Sequence, residues 1–151
     1  MGTLSQLNKA EADIVGAKMD DEGIIPEELD NLIKDLLSQG KKIKYLYTIP
    51  EFQNPTGSTM PLSRREKVLE ITNKYGLPVL EDDCYVDLRF EGETQPSYKS
   101  LDSSGSVIHV ASFSKLIAPG LRMGYVNAPI DVMKRLNYLK TSGPSQFVSL
   151  Q

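Results

Sequence analysis

The sequence predicts an α/β fold built on a mostly parallel sheet, and three observations carry that expectation. Strand-length apolar segments rich in β-branched residues alternate with segments whose apolar positions recur at spacings of three and four. Glycine or proline opens or closes several of these segments, as Gly23, Pro26, Gly40, Pro50 and Gly76 do. Most successive strands are far enough apart in sequence for a helical crossover, the connection that parallel neighbours require.

Taken in order, residues 12–19 read as a short strand, with Asp20, Asp21, Glu22 and Gly23 as its turn. Pro26, Glu27 and Glu28 open a helix that places Leu29, Leu32, Ile33, Leu36 and Leu37 on one face and stops at Gly40. Residues 43–49 form a β-branched and aromatic strand ended by Pro50, and residues 51–57 are a loop of turn formers. Ser63, with Glu66 three residues later, has the spacing of a capping box and predicts a helix to about Tyr75, ended by Gly76. The next strand begins over 77–80 and delivers Glu81, Asp82, Asp83, Cys84 and Tyr85 at or beyond its carboxyl end. Residues 91–106 are polar and read as loop, and 107–111 as a strand followed by Ser112, Phe113, Ser114 and Lys115. Residues 124–126 make one more strand. Too little chain separates these last two for a crossover, so an antiparallel pair is expected. Residues 130–140 read as a helix, with a break at Ser142-Gly143-Pro144.

Composition excludes several classes of function. The 151 residues have the length of one ordinary domain, and 40% hydrophobic with 25% charged residues are globular values. A net charge of -3, without a basic stripe interleaved with aromatics, argues against a nucleic-acid surface. The single cysteine, Cys84, has no partner for an internal disulfide and no second thiol for a metal cluster, so a reducing, cytoplasmic setting without a structural metal is expected. No apolar run approaches the roughly 20 residues of a membrane span, and the N-terminus lacks the basic and apolar regions of a signal peptide.

Ligands of open α/β sheets bind beyond the carboxyl ends of the strands, and three polar clusters fall there: 54–57, 82–85 and 112–115. Ser112, Ser114 and Arg122 surround Lys115 with two hydroxyls and a fixed positive charge, a set that suits a phosphate. Lys115 itself can be an amine nucleophile, and in the folded, ligand-loaded whole protein burial and Arg122 should favour its neutral form. Asp82 at the end of an apolar strand needs a cation or a donor, and a protonated heterocyclic nitrogen would satisfy it. Asn54 and Tyr85 could then hydrogen-bond a ring oxygen. A lysine nucleophile, a carboxylate for a pyridinium nitrogen and a phosphate cradle are what pyridoxal phosphate chemistry asks of a protein. Strand alternation sends Asp82 and Asp83 to opposite faces, so only one can take the ring nitrogen. Each cluster alone has a plainer reading: 54–57 as a turn, Tyr85 and Cys84 as packing, His109 as a satisfied or partly exposed strand residue. A chemical rival also lies in the sequence. Ser112 to Lys115 is an S-x-x-K pattern, followed by Tyr125-Val126-Asn127 and an approximate K-T-G at 140–143, as in penicillin-recognising serine hydrolases. That reading leaves the clusters at 54–57 and 82–85 unexplained.

Four stretches together resemble one family: Tyr-Thr-Ile-Pro-Glu-Phe-Gln-Asn-Pro-Thr-Gly at 47–57, Leu-Glu-Asp-Asp-Cys-Tyr at 80–85, Ser-Phe-Ser-Lys at 112–115 and Gly-Leu-Arg-Met-Gly-Tyr at 120–125. They resemble the fold type I, class I/II pyridoxal-phosphate aminotransferases, in the branch holding 2-aminoadipate and kynurenine aminotransferases and the aminotransferase-like half of GntR/MocR-type regulators. The resemblance implies a three-layer α/β/α large domain, pyridoxal 5'-phosphate as cofactor, amino acid and 2-oxo acid substrates, and a homodimer. Lys115 then matches the lysine that bonds to the cofactor and shuttles the proton. Asp82 matches the carboxylate on the pyridine nitrogen, Tyr85 and Asn54 the partners of the phenolic oxygen, and Ser112, Ser114 and Arg122 the phosphate ligands. The resemblance further implies that residues 1–151 are the central part of the large domain, without the N-terminal segment and the C-terminal small domain, and inactive alone. A cofactor- and amino-acid-sensing domain of a transcriptional regulator is the alternative it carries.

Overall fold

A computed structural model describes residues 2–142. Helix α1 (Gly2–Lys9) leads to a minimal hairpin of β1 (Met19–Asp20) and β2 (Gly23–Ile24). Next come α2 (Pro26–Ser38), β3 (Leu46–Thr48), α3 (Leu62–Lys74), β4 (Val79–Asp83), the short α4 (Tyr98–Leu101), β5 (Val107–Ser112), β6 (Gly124–Asn127) and α5 (Ile130–Ser142). Strands β3 to β6 form one sheet in that order, with β3, β4 and β5 parallel and β6 antiparallel to β5. The parallel pairs are joined through α3 and α4. The antiparallel pair is joined by a turn and a 3-10 segment, Pro119–Leu121, which is all that the short connection can hold. No helix among the described residues is long and apolar enough to cross a membrane.

Several local expectations are corrected. Residues 12–18 make no strand: the ladder is limited to Met19 with Ile24 and Asp20 with Gly23, and Ile14 and Val15 stay exposed without a ladder partner among the described residues. The capping box at Ser63 and Glu66 does not form. Helix α3 starts at Leu62 with Pro61 as its cap, and the Pro61 carbonyl accepts from the N–H groups of Arg64 and Arg65 at 3.0 and 3.1 Å, leaving Ser63 inside the first turn. The polar stretch 91–106 contains α4, whose capping Ser97 side chain accepts from the Ser100 N–H at 3.1 Å. Helix α1 has no counterpart among the expected elements, and the break at Ser142-Gly143-Pro144 lies outside the described residues.

Alternation divides the sheet into two unlike faces. On one, Leu46, Val79 and Val107 stand in register, and one step further Thr48, Glu81 and His109; all six are buried. This face packs into the core with Leu29 and Ile33 of α2, Val68 and Leu69 of α3, and Tyr98 of α4. Glu81 is tolerated there because its carboxylate accepts the backbone N–H groups of Tyr98 and Lys99, at 2.7 and 3.0 Å, and lies 3.0 Å from His109 Nδ1. That hydrogen bond to Glu81 raises the proton affinity of His109 against the opposing effect of burial. On the other face Tyr47, Leu80 and Ile108 stand in register, followed by Asp82 and Val110, and all five are only partly buried.

The loops at the strand ends are gripped by a buried ion network. Arg65, 1% exposed, donates from Nε to the Met60 carbonyl at 2.9 Å and from Nη1 to the Pro96 carbonyl at 3.0 Å. Its Nη2 serves the Pro50 carbonyl at 3.2 Å and Glu51 Oε1 at 2.6 Å. Glu51 also pairs with Arg89 through Oε2 and accepts the Gln95 N–H at 3.3 Å. The Arg89 guanidinium lies 4.6 Å from the centre of the Phe52 ring.

Removing one partner of a buried ion pair strands the other, so Arg65→Met is expected to lower the unfolding free energy by about 3–5 kcal/mol in urea titrations. A loss within about 0.5 kcal/mol, the size of a surface substitution, would show that the network does not hold these loops. Gly124 is required by close approach, since a Cβ there would stand 2.4 Å from the Ala111 carbonyl oxygen across the β5–β6 ladder. Gly124→Ala should cost about 1–3 kcal/mol and abolish amide-exchange protection along β6. Gly120→Ala, with nothing within 4 Å of the added carbon, should change neither, and equal effects from the two would refute the steric argument.

Candidate active site

Asn54 lies in the loop after β3, whose flanks the Arg65–Glu51 network fixes at Pro50 and Met60. The loop closes on itself through Gln53 N–H to the Ser58 carbonyl and Met60 N–H to the Pro50 carbonyl, both 2.9 Å. The Asn54–Pro55 peptide is cis, and Gly57 holds a positive φ of 74° that favours glycine. In this setting the exposed Asn54 donates through Nδ2 to Tyr85 Oη at 3.5 Å, joining the β3 loop to the chain beyond β4.

Asp82 and Asp83 leave β4 on opposite sides. Asp82 Oδ2 accepts from Tyr47 Oη at 2.6 Å and Oδ1 from Cys84 Sγ at 2.8 Å. Both donors are held in their protonated form. Burial and then Asp82 raise the pKa of the Tyr47 phenol, and the same causes push the Cys84 thiol up to about 12, against a hydrogen bond from the Ser112 backbone. The ladder pair of Asp83 with Ala111 ties the end of β4 to the end of β5. Asp83 instead points to the helix-covered side, 3.8 Å from His109 Nε2, with Oδ1 buried and without a partner among the described residues. Its carboxyl pKa is raised, by burial first and against the pull of His109.

Ser112 ends β5 on the face of Asp82, two residues beyond Val110. The Ser114 N–H donates to Ser112 Oγ at 3.2 Å, and Arg122 Nη1 donates to Ser114 Oγ at 3.3 Å. Arg122 adopts a left-handed backbone, φ 49° and ψ 38°, a strained state for a non-glycine residue and one that clusters at functional sites. Lys115 sits in the following turn, held by the Ile117 N–H to the Phe113 carbonyl at 2.9 Å. Lys115 is exposed in this chain, and its burial is expected only of the cofactor-loaded whole protein.

The structure therefore brings together Asn54 with Tyr85, and Ser112 with Ser114 and Arg122, and it places Asp82 beside them through Cys84. Sequence reasoning missed Tyr47, Glu51, Arg65 and Arg89. Tyr47 read only as one residue of a strand, because the adjacency of that strand to the strand of Asp82 emerges with the sheet order. Chemically, two hydroxyls and a guanidinium form an oxyanion site, and a doubly hydrogen-bonded carboxylate suits a cationic ring nitrogen. Among the described residues no group of three or more His, Cys, Asp and Glu side chains could hold a metal. The serine-hydrolase arrangement is not assembled, because Tyr125 pairs with Ala111 and places its hydroxyl 3.4 Å from His109, on the face opposite Ser112.

The family model for aminotransferase class I and II matches residues 3–151. Aromatic-amino-acid aminotransferase 1 of Thermococcus litoralis is 37% identical over 142 residues, covering 94% of this chain and 34% of the relative. The uncharacterised HTH-type transcriptional regulator YisV of Bacillus subtilis is 36% identical over 142 residues, covering 90% of this chain and 28% of the relative. The solved kynurenine aminotransferase of Pyrococcus horikoshii, in complex with PMP, superposes with a TM-score of 0.88 at 40% identity over 92% of this chain and 34% of that one. The chain thus spans about a third of the length of the aminotransferases it matches. Matched over nearly all of its residues by sequence and by a sheet of the same α/β architecture, the chain belongs to the class I and II aminotransferase family.

Proposed function

We propose that the whole protein transfers an amino group from an L-amino acid to a 2-oxo acid with pyridoxal 5'-phosphate, and that residues 1–151 form the central part of its cofactor-binding large domain. The observation that supports this reading best is the division of labour at the strand ends. A hydroxyl–guanidinium cluster stands at the end of β5, a hydrogen-bonded carboxylate at the end of β4 on the same face, and Lys115 in the turn between Ser114 and Arg122. The donor set fits the cofactor's two charged groups.

Ser112, Ser114 and Arg122 would hold the phosphate, with the guanidinium matching its charge. Asp82 would keep the proton on the ring nitrogen, and Tyr85 with Asn54 would orient the ring through its phenolic oxygen. Pyridoxal phosphate, when bound, supplies the electron sink that makes the substrate's α-carbon acidic. Lys115 would anchor the cofactor through its amine and, once released, hold and move the proton at that α-carbon. The open side of the sheet leaves these groups accessible, and the half-buried free Cys84 suits a reducing, cytoplasmic setting. A homodimer belongs to the same reading.

The likeness to a transcriptional regulator favours a second reading, in which the same residues bind cofactor and amino acid to report their presence. Both readings share Lys115. Borohydride reduction of the cofactor-loaded whole protein, followed by peptide mass spectrometry, should find the pyridoxyl mass on Lys115. Lys115→Ala should lose both that label and about 10²–10⁴-fold in turnover with amino donors. Label on another lysine, or full activity in Lys115→Ala, would remove Lys115 from the site. Label on Lys115 without turnover across a donor panel would favour the regulator.

A further inference from the structure

We propose that Tyr47 is a positioning residue for Asp82, and that with Cys84 it forms a two-donor clamp holding this carboxylate in one orientation along the open face of the sheet. The proposal rests on the reading of Asp82 as the cofactor's ring-nitrogen partner, and it assigns to β3 a part in a site otherwise built at strand ends.

The geometry follows from the ladder. Tyr47 stands in register with Leu80, so its side chain shares a face with Asp82 two residues on, and the long phenol reaches forward along that face. Its hydroxyl donates to Oδ2 at 2.6 Å, the distance of a charge-assisted O–H···O⁻ bond, while the Cys84 thiol donates to Oδ1 at 2.8 Å. Each carboxylate oxygen therefore has one donor and keeps lone-pair capacity for another, as a bound ring N–H would need. With both torsionally distinct oxygens occupied, the carboxylate plane has one orientation. The Thr3 hydroxyl from α1, 3.4 Å from Tyr47 Oη, lies beyond the phenol.

The raised pKa values of Tyr47 and Cys84 mean that both remain donors throughout the range in which enzymes work. Among the described groups facing Asp82, Tyr47 comes from β3 and Cys84 from its own strand end, β5 brings the uncharged Val110 alongside, and α1 brings Thr3. Asp83 and Glu81 turn to His109 on the other face, where Asp83 still acts on Cys84 through its charge.

The test is NMR at fixed neutral pH in the full chain labelled with 13C in the aspartate carboxyls and the tyrosine rings, the two resonances assigned by their loss in Asp82→Asn and Tyr47→Phe. The Tyr47 hydroxyl proton should be slow to exchange and should correlate with the Asp82 carboxyl carbon. Tyr47→Phe should move the Asp82 carboxyl resonance, and Cys84→Ala should move it less, because a thiol is the weaker donor. Cys84→Ser, which keeps a donor, should restore the wild-type resonance. An unmoved resonance in a folded Tyr47→Phe chain would overturn the proposal and leave Tyr47 as packing. Should that variant not fold, the wild-type chain decides: absence of the Tyr47 hydroxyl correlation to the Asp82 carboxyl would overturn the clamp. In the whole protein, Tyr47→Phe should weaken pyridoxal phosphate binding by about 3–10-fold, the size of one lost hydrogen bond. If Asp82→Asn leaves cofactor affinity unchanged, the ring-nitrogen role of Asp82 fails, and the NMR correlation still judges the clamp.

Discussion

The carboxylate of Glu51, buried between Arg65 and Arg89, is the constraint on which the strand-end architecture depends. It stands at the exit of β3, and its two guanidinium partners come from the start of α3 and from the chain beyond Tyr85. Because Arg65 also takes the carbonyls of Pro50, Met60 and Pro96, two loops, one between β3 and α3 and one between β4 and α4, are drawn to one point. Burying two cations and an anion is costly unless their geometry and hydrogen bonds compensate, so what such a network supplies is one fixed loop arrangement more than net stability. Asn54, whose loop is held at both ends by this network, inherits its place opposite Tyr85 from it.

From that anchor the division of the sheet follows. Alternation gives Glu81, Asp83 and His109 to the helix-covered face and Asp82 and Ser112 to the open one. On the covered face charge is admitted only where amides or an imidazole meet it, as Tyr98, Lys99 and His109 meet Glu81. The open face keeps its polar groups half-buried, hydrogen-bonded to one another and accessible. Two neighbouring aspartates of identical chemistry thereby receive different surroundings: Asp82 two donors, Asp83 an orphaned oxygen and a more distant imidazole.

What the sequence conveys well is what depends on near neighbours. The stripe from Leu29 to Leu37 places α2, the short gap between β5 and β6 makes that pair antiparallel, and the Asp82–Asp83 alternation survives intact. What it conveys poorly depends on distant partners. Glu51 read as one polar residue in a turn, since the arginines that bury it lie 14 and 38 residues away. Tyr47 and Asp82 are 35 residues apart and meet only once the strand order is known. Residues 12–18 carried the pattern of a strand without a ladder to join, and Ser63 carried a capping signal that Pro61 pre-empted.

The central claim is that the cofactor's ring nitrogen meets the carboxylate on the open face and not its neighbour on the covered one. A solid-state NMR distance between 15N in the ring of bound pyridoxal phosphate and the 13C-labelled aspartate carboxyls of the whole protein tests it most directly. The account predicts one carboxyl within about 4 Å of the nitrogen, the range of a charged pair, and its loss on Asp82→Asn. A contact that survives Asp82→Asn and disappears on Asp83→Asn would contradict the assignment of faces and with it the site drawn from them.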